Sequence, residues 1–186
     1  MEAAEGRGVF RAPALSGPFQ PDPVCISCTP PEHDPETVAS TDHWKVVLHP
    51  SQCSPGSVLL VARRHVPRMA DLTDDEAHDF QAVLRVLEPG LERAYGAPLV
   101  NLAYQRNWAY RARNPDPPLE NGRPNPHVHW HVTPRYPSPL EVAGMTFRDP
   151  TFGEPFEWRD VPVPPGVRRA ILERLREVLG VHTVSQ

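Results

Sequence analysis

His127-Val128-His129-Trp130-His131-Val132 is the stretch whose reading decides the fold. In an extended strand alternate side chains share a face, so the three imidazoles line one side while Val128, Trp130 and Val132 are buried on the other. Such a row supplies a nucleophile, a proton shuttle or metal ligands near neutral pH without unusual tuning. A surface strand merely rich in histidine is the plain alternative, but it has no need of strict period-two spacing against an apolar face.

Working outward, the strand is expected to stop at Pro134. Residues 137–164 carry many prolines and aromatics without a sustained period, which predicts an irregular extension with one short strand around Phe156 to Trp158. Val167, Ile171, Leu175, Val178 and Leu179 recur at helical spacing before Gly180 and predict a terminal amphipathic helix. Upstream, residues 106–125 form a long loop, which more often marks a functional lid than a neutral insertion. Leu99 to Tyr104 reads as a strand. Thr73-Asp74-Asp75-Glu76 has capping-box spacing and opens a helix to about Tyr95, with Phe80, Val83, Leu84, Leu87 and Leu91 on its apolar face. Gly96 is placed to stop it, and Pro89 is expected to kink it or end its first part. Trp44 to Leu48 and Val58 to Val61, separated by the turn residues Ser54-Pro55-Gly56-Ser57, read as a hairpin. Residues 1–24 are rich in Gly, Ala and Pro and read as a tail. A hairpin, a helix and two further strands make an α+β protein.

The chain of 186 residues is long enough for one core with tails. A net charge of −4 argues against general nucleic-acid binding, which needs a basic footprint. Charge is nonetheless uneven: Arg106, Arg111, Arg113, Arg123 and Arg135 fall in the histidine region, a bias suited to polyphosphate. Arg111 and Arg113 are therefore candidate substrate-binding residues on a loop expected to close over an anion. No apolar run is long enough to span a membrane, and Glu2 and Glu5 stand where a signal sequence would be apolar, so a cytoplasmic location is expected. Cys25 and Cys28 form a Cys-x-x-Cys pair that by itself reads equally as metal-binding, redox-active or structural, and Cys53 reads as a free thiol.

With Asn125-Pro126 before it and Pro134-Arg135-Tyr136 after it, the triad resembles the signature of the histidine-triad (HIT) family of nucleotide hydrolases and transferases. The resemblance covers about residues 25–136. Phe147-Arg148-Asp149-Pro150-Thr151-Phe152-Gly153 is similar to a segment of a bacterial branch described as diadenosine polyphosphate hydrolase-like. It implies a mostly antiparallel five-stranded sheet with a long helix and a C-terminal helix, paired as a homodimer, and divides the chain into a tail (1–24), a catalytic domain (25–136) and an extension (137–186). It further implies that His129 is the nucleophile, that His131 binds phosphate or moves the leaving-group proton, and that Asn107 contacts phosphate. His65 and His127 occupy positions that, with Cys25 and Cys28, hold a structural zinc in bacterial relatives. The implied activity is hydrolysis of dinucleoside polyphosphates or related nucleotides at the α-phosphorus through a nucleotidyl-histidine. Phosphoramidase, nucleotidyl transferase, a zinc-stabilised nucleotide-binding module and a metal-activated water on the triad are the alternatives. The chain departs from the family in two places. Asn121 to Pro126 replaces a polar segment before the triad, and His49-Pro50 stands where an acidic residue usually holds the ribose.

Overall fold

The computed structural model describes residues 25–180; the expected tail over residues 1–24 and the last six positions lie outside them. Seven strands and two α-helices are found among the described residues: β1 (Thr37–Ser40), β2 (Trp44–Leu48), β3 (Val58–Ala62), α1 (Asp74–Tyr95), β4 (Leu99–Tyr104), β5 (His129–Arg135), β6 (Leu140–Val142), β7 (Met145–Phe147) and α2 (Pro165–Val178). The first five strands make one sheet in the order β1-β2-β3-β5-β4, and every neighbouring pair is antiparallel. The protein is therefore α+β, with the expected hairpin at β2–β3 and the triad strand near the sheet's centre.

Register sets which residues share a face. Lys45 lies opposite Val61, which lies opposite His129; one row on, Val47, Leu59, His131 and Ala103 are aligned. Residues directly opposite point the same way, so His129 and His131 share a face with Lys45 and Val47. The other face carries Trp44, Val46, Leu60, Val128, Trp130 and Val132, which belong to one hydrophobic cluster with Val83, Leu87 and Leu91 of α1. From His129 onward the alternation read in the triad is the one that the sheet uses, whereas His127 and Val128 precede the strand.

Helix α1 begins as its sequence requires. Thr73 Oγ1 accepts from the Glu76 amide at 3.3 Å and Glu76 Oε2 accepts from the Thr73 amide at 2.8 Å, satisfying donors that the first turn leaves unpaired. Gly96 ends it at φ 68°, a left-handed conformation that glycine adopts without strain. The helix runs through Pro89 rather than ending there. Pro89 and Arg85 are both exposed, so the turn deprived of its bond lies on the solvent side of the helix.

Two further expectations are corrected. The triad strand continues through Pro134 to Arg135. Pro134 is paired with Val100 of β4 on one side, while β3 begins opposite Val132, so no β3 ladder bond is lost, and the Pro134 carbonyl accepts from the Ser54 hydroxyl instead. No strand forms around Phe156 to Trp158. The extension instead folds its hairpin earlier, as β6–β7, and places Val142, Phe147, Val167, Ile171, Leu172, Leu175 and Leu179 in the same core as the sheet. Two contacts fix it there. A Cβ on Gly90 of α1 would meet Leu179 Cδ2 at 2.5 Å, so the missing side chain admits the C-terminal segment. Arg135, at the end of β5, forms a buried pair with Asp149 at 2.5 Å.

Candidate active site

The open face of the sheet is covered at both ends and left open in the middle. A short segment holding Cys25 and Cys28 lies at one end, and the extension holding Trp158, Arg159 and Asp160 at the other. Between them is a cleft of about 570 Å³ lined by His129, His131, His49, Lys45, Asn107, Trp108 and Asp116, among others.

His129 Nδ1 lies 2.9 Å from the backbone carbonyl of His127. A carbonyl only accepts, so Nδ1 carries the proton and the Nε2 lone pair is left for the cleft. Burial is the main reason that the pKa of His129 lies below its usual range; the hydrogen bond to the His127 carbonyl and the charge of Asp116 oppose the shift, and Arg106 adds to it. At neutral pH the ring is thus an uncharged base. His131 sits 5.2 Å from it, centroid to centroid, and its Nδ1 lies 3.1 Å from His49 Nε2. Burial, with smaller contributions from His129 and His49, pushes His131 down to about 3. Burial likewise lowers His49 to about 4, although a hydrogen bond to Ser51 opposes the shift.

In the sequence His49 stands out only as a departure from the family; the structure makes it the partner of His131 and the ring on which Trp158 stacks, 4.0 Å away and tilted by 14°. No local signal pairs positions so far apart. Lys45 was also missed. It is buried, donates to the Thr29 carbonyl at 2.8 Å and lies 3.5 Å from Asp34; burial lowers its pKa and Asp34 opposes the shift.

Of the three loop residues singled out for substrate, Asn107 lines the cleft. Arg111 packs its guanidinium 4.2 Å from the centroid of Trp108, and Arg113 is exposed; neither is among the cleft-lining residues. The loop is partly ordered by a 3₁₀ turn at Asn107–Tyr110 and a bridge between Glu120 and Arg123.

Cys25, Cys28, His65 and His127 bring their ligand atoms within 4.8 Å of one another and can hold a metal ion. His127 Nδ1 lies 3.4 Å from both sulfurs, and His65 Nδ1 3.4 Å from Cys28 Sγ. A tetrahedral ion bonded at about 2.3 Å to sulfur and about 2.0 Å to nitrogen sets S···N edges near ~3.5 Å, so the four residues fit one. His127 Nε2 donates to the Ala62 carbonyl at 2.7 Å, which turns the Nδ1 lone pair toward the sulfurs, as an outer-shell partner of a ligand should. The hydrogen bond between the thiols is the main reason that Cys28 is held well below its usual range and Cys25 above it; His127 and His65 add to the lowering of Cys28.

An antiparallel sheet that presents a histidine with a free ring nitrogen to a cleft, flanked by a Cys2His2 cluster, defines a class of protein built around a histidine strand. Residues 31–138 match the HIT domain, and the chain belongs to that family. It is 32% identical over 81 residues to the bis(5'-nucleosyl)-tetraphosphatase (asymmetrical) of Schizosaccharomyces pombe, covering 44% of this chain and 38% of that one. The match thus spans well under half of that relative's length. Among solved structures, a histidine triad nucleotide-binding protein from Sulfolobus tokodaii shares the fold with TM-score 0.58 at 16% identity, covering 84% of this chain and 92% of that chain. A zinc-bound histidine triad family protein from Mycobacterium smegmatis does so with TM-score 0.53 at 18% identity, covering 84% and 93%.

Proposed function

We propose that the protein hydrolyses dinucleoside polyphosphates or related nucleotides at the α-phosphorus, through a covalent nucleotidyl-His129. The observation that carries this reading is the bond from His129 Nδ1–H to the His127 carbonyl, which leaves Nε2 as an uncharged nucleophile in the cleft. In the first step Nε2 forms a bond to the α-phosphorus as the bond to the leaving phosphate oxygen breaks; the carbonyl supports the positive charge that the ring acquires. In the second, water takes the phosphorus and the P–N bond breaks. His131, with one ring nitrogen held by His49, has its other nitrogen for phosphate oxygens or for the proton in transit. Lys45 and Arg159 line the cleft as cations suited to phosphate. Asn107 joins them, and Arg111 and Arg113 stand on the same loop, where their charges favour approach of an anion. The tetraphosphatase relative supports this substrate class.

Zinc is the metal proposed for Cys25, Cys28, His65 and His127. Two thiolates and two imidazoles in tetrahedral reach suit it, and four protein ligands leave no position for substrate, so its duty is structural. The site ties the N-terminal segment to the start of β5. Cys25, Cys28 and Cys53 form no disulfide, which suits the reducing cytoplasm. A homodimer would cover strand β4, which has a partner on one side only and leaves Leu99 exposed. No helix among the described residues is long and apolar enough to cross a membrane.

The test is turnover of a panel of diadenosine polyphosphates, adenosine 5'-phosphoramidate and UDP-glucose, with products separated by chromatography. His129→Gly is expected to abolish turnover with fold and metal content intact, and His131→Ala to slow it less. Wild-type turnover by His129→Gly would overturn the mechanism and promote metal-activated water.

A further inference from the structure

Two tryptophans enter the cleft from segments that carry none of the histidines. Trp108 stands on the 3₁₀ turn of the loop between β4 and β5, and Trp158 on the extension. They are 45% and 37% exposed, whereas the chain's other two, Trp44 and Trp130, pack against Phe80 on the opposite side of the sheet. Each cleft tryptophan has one ring face already occupied: Arg111 lies over Trp108, and His49 is stacked on Trp158. Phe156 also meets Trp158 edge-on at 4.9 Å. The next residue, Arg159, is pinned by its carbonyl to Ser51 Oγ at 3.2 Å and by its guanidinium to the Arg148 carbonyl at 2.6 Å. Trp158 is thus held in place, with part of its indole still exposed at the cleft. An indole braced on one side and open to a cleft on the other leaves apolar surface in water unless a ligand covers it. Base stacking uses such a face, and it is tolerant of base identity because every base has a π-face.

We propose that Trp108 and Trp158 are two nucleobase platforms, one for each nucleoside of a substrate that carries two bases joined by a phosphate chain. This rests on the reading of His129 as the group that meets the α-phosphorus, and it assigns the two bases of the dinucleoside polyphosphates proposed above to two named residues. A mononucleotide engages one platform and leaves the other bare. The cleft's volume of about 570 Å³ falls inside the range of about 300–1,000 Å³ usual for small-molecule sites. Lys45 and Arg159 are the cations among the lining residues, which also include Asp34, Asp116 and Asp160.

The experiment compares kcat/KM for diadenosine tetraphosphate and for adenosine 5'-phosphoramidate, which lacks a second base, in the wild type, Trp108→Leu, Trp158→Leu and the double variant. One single substitution should lower both values, and the other should lower the tetraphosphate value alone, each by at least about fivefold. The double variant should lose the preference for the two-base substrate, and phenylalanine at both positions should keep it. A second arm needs no turnover: tryptophan fluorescence of His129→Gly should be quenched by diadenosine tetraphosphate, and the quench should vanish when Trp108 and Trp158 are replaced as well. An unchanged preference in the double variant, or an unchanged quench, overturns the proposal. Wild-type protein that hydrolyses neither probe while the quench behaves as described overturns the reading of His129 and supports the platforms.

Discussion

Replacing Asp149 with alanine strands a guanidinium inside the protein. The side chains of Arg135 and Asp149 are 1% and 3% exposed. Arg135 Nε donates to Asp149 Oδ2 at 2.5 Å and Nη2 to Oδ1 at 3.0 Å, a two-pronged pairing that fixes both groups. Its remaining donors go to neutral acceptors, Asn101 Oδ1 at 2.8 Å and the carbonyls of Glu154 and Thr151 at 3.0 and 2.5 Å. Removing the carboxylate therefore leaves the N–H groups largely satisfied but the charge unpaired, for which the cost is about 3–5 kcal/mol, the lower end applying here. At about 2–4 °C per kcal/mol for a chain of this size, Tm should fall by about 6–12 °C. The pH dependence has a definite sign. Burial works against the Asp149 charge, but hydrogen bonds and attraction from Arg135 more than offset it, so its pKa lies below the usual carboxylate range. The pair's contribution is thus complete above the unfolded value near ~3.9 and is lost as pH falls through the lower folded one. The assay is urea unfolding followed by circular dichroism for Asp149→Ala, Arg135→Met and the double variant Arg135→Met/Asp149→Leu. The apolar pair should recover most of the loss. A single substitution that costs under about 1 kcal/mol, or a double variant no better than Asp149→Ala, would refute the reasoning.

Protein purified without added metal should contain about one zinc per chain by elemental analysis, and Cys28→Ser should lower both metal content and Tm; metal-free protein of unchanged Tm would contradict the site. His49 and His131 are held neutral with folded values of about 4 and about 3, against ~6.5 in the unfolded chain. Their depressed values mean that the unfolded chain takes up protons first, so stability is full above ~6.5 and declines as pH falls toward 4. His49→Asn should reduce the difference in urea midpoint between about pH 7.5 and about pH 5, and an unchanged difference would remove burial of His49 as its cause. Neutralising Arg111 and Arg113 together should raise KM for longer polyphosphates more than for shorter ones and weaken the salt dependence of binding; equal effects on all substrates would point to folding instead.

The parts of the fold that were legible in sequence are those fixed by local chemistry. Alternation at His129 to Val132 assigned both faces of β5, and the Thr73/Glu76 box and Gly96 marked both ends of α1. Strand β1, with Thr37, Val38, Ala39 and Ser40 all buried, lacks the polar alternation that reveals a half-buried strand. The β6–β7 turn hid for another reason: Ala143 and Gly144 both have positive φ, 47° and 80°, which the usual Asn-Gly or Asp-Gly would have announced. At the site, the spacing of Cys25 and Cys28 was visible, but His65 and His127 joined them only through a family resemblance. The His49–His131 contact and the stacking of Trp158 depend on where β2 and the extension come to rest, which no local pattern encodes.

The central claim is a covalent nucleotidyl-His129, and the measurement that tests it most directly is rapid acid-free quenching of the enzyme with substrate labelled at the α-phosphorus, followed by peptide mapping. The label is expected on His129 in wild-type protein and absent from His129→Gly. Label on His131 or any other residue, or turnover without a labelled peptide, would contradict it.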